Sequence, residues 1–179
     1  MRIFMLCLLL LPVAAFARDW NVDMAKSGLG FDGTYQGGAF AGKFGKWTAA
    51  IAFDETDLAK AKFDVTVQLA SVDTGSGERD QTLATADFFD TAKFPQAHFV
   101  TTSFNRSADG GVTAQGTLTI RDIAKPVTLK VTFAATGGTT TLDVTTTLNR
   151  RDFGLGASGD WDDISQQINV HGHLLLTPK

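Results

Sequence analysis

The chain has 179 residues, a formal net charge of −3 at pH 7, and a single cysteine, Cys7. Its charges are scattered with no basic block, which excludes nucleic acid as the main ligand, since neutralising phosphates takes clustered Lys and Arg. The length fits one domain that buries enough apolar surface to be stable without disulfides.

The first stretch reads as a secretory signal. Arg2 gives a positive start, Ile3 to Val13 form an apolar run around Leu8, Leu9, Leu10 and Leu11, and Ala15-Phe16-Ala17 supplies a small-x-small cleavage site. The run is shorter than the roughly 20 apolar residues of a membrane span. Cleavage is expected after Ala17, so residues 1–17 are the signal and 18–179 one exported domain. Cys7 would leave with the signal, and the mature chain would hold no disulfide, thiol nucleophile or thiolate ligand.

The rest of the chain reads as strands. Trp20 to Asp23 is a short one; Leu29, Phe31, Gly33 and Tyr35 share a face on the next; Ala39 to Phe44 is Gly-rich; Ala49, Ile51 and Phe53 share a face after it. Alternation is then regular: Phe63, Val65, Val67 and Leu69; residues 97–105 around Phe99; Val112, Ala114, Gly116, Leu118 and Ile120. Val127, Leu129, Val131 and Phe133, then Leu142 and Val144, then Ile168, Val170, Gly172 and Leu174 repeat it. Successive strand side chains point to opposite faces, so each run carries one apolar and one wet face. Asp109-Gly110-Gly111 and Gly137-Gly138 read as hairpin turns. Glu78 to Phe89 lacks the alternation and is predicted to be a short helix, capped by Ser76 or a nearby residue, with Arg79-Asp80 as an ion pair holding it to the barrel. Arg150 to Asp163, with Gly154, Gly156 and Gly159, is an irregular loop. Eight or nine antiparallel strands in one domain leave two architectures, a sandwich or a barrel.

Catalytic and cofactor motifs are weak. Gly28 to Gly33 and Gly154 to Gly159 match G-x-G-x-x-G, but neither opens a helix within a strand–helix–strand unit, so no nucleotide cofactor is expected. His171 and His173 lie on a polar face and read as solvated; a metal site needs further ligands, and none is expected. No serine sits in a nucleophile elbow, and Asp152, Asp160, Asp162 and Asp163 read as a solvated cluster. The reading is a protein without catalytic residues.

Phenylalanine is the strongest signal. Phe31, Phe40, Phe44, Phe53, Phe88, Phe89, Phe94, Phe99, Phe133 and Phe153 make an aromatic interior. Such walls suit a methyl-branched alkene chain, whose burial gains about 0.8 kcal/mol per CH2. Gly33, Gly116 and Gly172 fall on inward faces, where they either leave room for a ligand or mark bulges needed for closure. Pattern alone leaves a ligand cavity and a filled core both open.

Several motifs occur together in one order: Trp20-Asn21-Val22-Asp23; Gly38-Ala39-Phe40 with Gly42-Lys43-Phe44; Ala70 to Gly75 running into Glu78-Arg79-Asp80; Ala86 to Asp90; Lys93-Phe94-Pro95; Gly116 to Ile120; Lys125-Pro126-Val127; and Leu148 to Gly154. In these the chain resembles the YceI-like family of exported polyisoprenoid-binding proteins, over essentially all of residues 18–179. The resemblance implies an all-β, eight-stranded antiparallel lipocalin-like barrel with a short helix, located in the periplasm. It implies a carrier that sequesters a long isoprenoid, a polyprenyl or quinone tail, inside the barrel. The expected wall is Phe31, Phe40, Phe44, Phe53, Phe88, Phe89, Phe99, Leu118, Ile120, Val131, Phe133 and Phe153, with a polar rim near the helix and the 150–163 loop. Lys26-Ser27 and Thr82-Leu83-Ala84 depart from the family pattern, so head-group preference does not carry over. A fatty acid or fatty amide is the alternative ligand. The stretch from Gly154 to Trp161 is similar to a subgroup related to domains joined to membrane cytochrome b subunits, which adds a membrane respiratory partner to the alternatives. Homodimerisation stays open.

Overall fold

A computed structural model describes residues 18–137 and 139–179. The expected signal, Cys7 and Gly138 lie outside the described residues. The strands are β1 (Asp19–Val22), β2 (Gly28–Tyr35), β3 (Gly38–Phe44), β4 (Trp47–Ala52), β5 (Lys62–Gln68), β6 (Val72–Asp73), β7 (Gln96–Arg106), β8 (Val112–Ile120), β9 (Ile123–Thr136), β10 (Thr139–Asn149) and β11 (Gln167–Pro178). One α-helix, α1, spans Gly77–Ala84.

These segments form eight staves. β1 and β2 lie end to end along β11, with Trp20 opposite Pro178 and Phe31 opposite Val170. β4 and β3 form the next stave, and β5 with β6 the one after. β7, β8, β9, β10 and β11 follow in order, every neighbour antiparallel, and β11 closes the ring on the first stave. The molecule is therefore a closed eight-strand antiparallel barrel with one short helix. Closure leaves no free sheet edge around most of the ring and turns the apolar face of every stave inward.

The helix is shorter than its predicted span. Ser76 caps it, accepting from the Arg79 N–H at 3.4 Å, but it ends at Ala84, because Thr85 is extended and the Thr85 hydroxyl bonds the Thr82 carbonyl at 2.7 Å. Residues 85–89 turn away, which drops Phe88 and Phe89 into the barrel end, where both are buried. The expected Arg79–Asp80 ion pair does not form. Asp80 instead accepts from the Thr74 N–H at 2.9 Å and the Thr74 hydroxyl at 2.7 Å, while Arg79 donates to the Thr74 carbonyl at 3.4 Å. Both residues thus tie the helix start to the segment before it.

Candidate functional site

The two ends of the barrel are filled differently. At the end of the β4–β5 and β7–β8 turns, Phe53, Phe63, Phe104, Phe133 and Trp20 pack ring against ring, with centroids 4.9 to 5.9 Å apart. Phe53 is 0% exposed, and the Trp20 indole donates to the Phe53 carbonyl at 2.9 Å. Val112, Ala114, Val131, Leu142 and Leu176 complete this plug.

Toward α1 the interior opens into a cavity of about 580 Å³, within the range of small-molecule sites. Phe31, Phe40, Phe44, Phe88, Phe89, Phe99, Leu118, Ile120 and Phe153 line it, with Val65, Leu83, Leu129, Trp161 and Val170 among the others. Three residues expected on this wall are elsewhere: Phe53, Val131 and Phe133 belong to the plug. They point inward as the alternation requires, but at a height where rings meet across the lumen. Polar lining is concentrated at one end, where Thr74, Ser76, Glu78, Arg79 and Thr82 come from α1 and the segment before it.

Two glycines keep the rings at the wall. Phe31 lies over Gly42 on the neighbouring strand, where a Cβ would meet its Cζ at 2.4 Å. Phe99 lies over Gly116 in the same way, at 2.5 Å, with the Val100 carbonyl 2.6 Å from the same point. Gly116 therefore provides space that a ring fills, and it also stands at the bulge of β7, where pairing slips from Thr101 opposite Gly116 to Ser103 opposite Gln115. The lumen stays open because the ring lies along the wall.

Arg150 is the site residue that the sequence reading missed. It is the one buried charged side chain among the described residues, 4% exposed. Its Nε donates to the Ser165 carbonyl at 3.2 Å; its terminal nitrogens donate to the carbonyls of Leu155 (2.8 Å), Trp161 (2.6 Å), Ile164 (3.1 Å) and Gly156. Burial pushes its pKa down; neighbouring Arg151 acts in the same direction and Asp162 opposes both. With its N–H groups taken by backbone carbonyls, Arg150 holds the 150–166 loop across the barrel end. The available signal was parity, because Arg150 continues the inward series Leu142, Val144, Thr146, Leu148 on β10.

The remaining histidine–carboxylate pairs and acidic groups are largely exposed to solvent. His98 bonds Asp64 at 2.8 Å and His173 bonds Asp143 at 2.6 Å, while His171 is 3.7 Å from Asp32. No group of three or more metal-ligating side chains occurs among the described residues. Asp162 pairs with Arg151, and Asp163 accepts from Gln36 at 3.3 Å. Gly28 to Gly33 lies within β2, and Gly154 to Gly159 lies in the loop, so neither glycine stretch has the strand–turn–helix form that cradles a phosphate.

The model of the YceI-like domain matches residues 20–175, nearly the whole barrel. The chain belongs to that family. A UPF0312 protein of Shewanella denitrificans is 36% identical over 125 residues, covering 68% of this chain and 65% of that relative. BcnA of Burkholderia cenocepacia superposes with a TM-score of 0.81 at 31% identity, covering 88% of this chain and 100% of that one. A polyisoprenoid binding domain from Saccharophagus degradans shares the YceI-like fold, with a TM-score of 0.68 at 15% identity over 92% of this chain and 100% of that domain.

Proposed function

We propose that this protein is an exported, non-enzymatic carrier that holds the tail of a long-chain isoprenoid in the barrel cavity. The observation that carries the reading is the cavity itself, walled by phenylalanine and aliphatic side chains and polar mainly at the α1 end. A tail moving from water into such a space gains about 0.8 kcal/mol for each CH2 buried, with no bond made or broken. The polar end of the ligand would remain at a polar edge of the cavity, outside the apolar lumen. Two further supports are the polyisoprenoid-binding description of the S. degradans domain and the signal-like residues 1–17, which fit a periplasmic location.

The test is mass spectrometry of lipid extracted from the purified protein, with competition between geranylgeraniol and a fatty acid for the emptied cavity. Co-purified prenyl lipid, or preference for the prenyl probe, is the expected result. Preference for the acyl chain would replace the isoprenoid with a fatty acid. Failure to bind either would remove the carrier reading.

A further inference from the structure

Where the staves bend, their seams are stitched. Between the first stave and β11, the Asp23 N–H donates to the Leu175 carbonyl and the Leu175 N–H to the Ser27 hydroxyl, both at 2.9 Å. At the bend between β3 and β4, the Gly45 N–H reaches the Ser71 carbonyl and the Gln68 N–H reaches the Lys46 carbonyl, again at 2.9 Å. The seam between β9 and β10 is different.

Its ladder runs from Thr139 opposite Thr136 to Thr145 opposite Lys130 and stops, although β9 reaches back to Ile123 and β10 runs on to Asn149. In the same register Thr146, Thr147, Leu148 and Asn149 would face Leu129, Thr128, Val127 and Pro126, and none of those pairs forms. Neither strand is frayed. β8 holds β9 through this stretch, with Gly116 opposite Val127, and β11 holds β10, with Leu148 opposite Ile168. Pro126 has no N–H to offer across the gap, and proline in a sheet is confined to such edges.

The gap leads inward. The flanking residues line a surface pocket of about 250 Å³, and Val127, Thr146, Leu148 and Phe153 line both it and the main cavity. Inward Val127, Leu129 and Leu148 along the gap are half-buried. Lys125, Thr128, Thr147, Asn149 and Asp152 make the outer lip polar. Four missing rungs leave a slot about 13 Å long.

We propose that this slot is a lateral mouth of the cavity, through which the apolar tail of an amphiphile passes between β9 and β10 while its polar end stays at the outer lip. Sideways passage avoids dragging a polar group through an apolar lumen, where it would lose hydrogen bonds to water without replacement. The proposal rests on the tail-binding reading above.

The test bridges Thr128→Cys and Thr147→Cys with a disulfide-containing bismaleimide in a Cys7→Ser background. Exchange of cis-parinaric acid is followed by stopped-flow fluorescence before bridging, after it, and after release by reductant. Bridging is expected to slow association and dissociation alike by about tenfold, with affinity little changed and the rates restored on release. Exchange at the unbridged rate, or slowing that reductant does not relieve, would overturn the lateral mouth while leaving tail binding intact. If the unbridged protein binds neither cis-parinaric acid nor geranylgeraniol, the carrier reading fails and the mouth with it.

Discussion

The plugged and the hollow halves of this barrel are built from the same residue type to opposite effect. In the plug, Phe53, Phe63, Phe104 and Phe133 point across the lumen and meet one another. In the hollow half, Phe31 and Phe99 fold down onto Gly42 and Gly116 of adjacent strands, so their rings cover the wall and leave the axis free. Where a neighbouring strand offers a glycine, as Gly42 does to Phe31 and Gly116 to Phe99, the ring lies on the wall instead of crossing the lumen. Hydrophobicity is the same in both halves, and shape decides.

The largest expected effect comes from breaking the plug. Phe53→Ala removes a fully buried ring and should cost about 3–5 kcal/mol in urea denaturation, because the remaining rings cannot close the hole. In the hollow half, Arg150→Met should cost about 3 kcal/mol, since it leaves buried carbonyls of the 150–166 loop without donors. Protease cleavage within that loop should rise with it. Gly116→Ala should cost about 1–3 kcal/mol, because the new methyl meets both the Phe99 ring and the Val100 carbonyl. The displaced ring should also lower lipid occupancy.

Filling the hollow half is expected to change stability far less than breaking the plug. Leu118→Trp places a ring in existing space, so the thermal midpoint should shift by the equivalent of about 1 kcal/mol or less while tail binding is lost. Equal loss of stability in Phe53→Ala and Leu118→Trp would refute the distinction between the halves. The smallest effect is that of acid. Asp54 is held below the ordinary aspartate value chiefly by the Thr56 hydroxyl and then the Thr56 N–H; Asp73 by the Gly75 N–H and then Lys43; Asp109 by the Ser107 hydroxyl and then the Gly111 N–H. Their stabilisation is complete above the ordinary value of 3.8 and is lost as the pH falls through the lower folded values. Asp73 and Asp109 are exposed and Asp54 is only half-buried, so a pH series of denaturation midpoints should fall only modestly there, and less in Asp54→Asn.

Much of the fold was legible because its signals are local. Alternation placed the strands and their inward faces, and Ser76 marked the helix start. Nine of the twelve residues expected on the cavity wall do line it, six of them on strands, where facing inward is a property each strand settles for itself. Phe53, Val131 and Phe133 also face inward, yet they sit at the plug. Height along the barrel axis depends on the stagger between strands distant in sequence, and no period-two pattern carries it. The helix end was misjudged for a related reason. Phe88 and Phe89 suit a helical spacing, but the barrel end offers them a better burial site and pulls the chain out of the helix.

The sequence by itself determined an all-β chain with apolar faces to bury, a single capped helix and an aromatic interior. Those follow from the geometry of one strand or one turn. Only the tertiary structure decided which rings meet and which lie flat on a glycine, that Arg150 ties down the loop over the barrel end, and that β9 and β10 part beyond Thr145. Each of these depends on which residues of different staves come face to face, and that is set when the ring closes with a particular register.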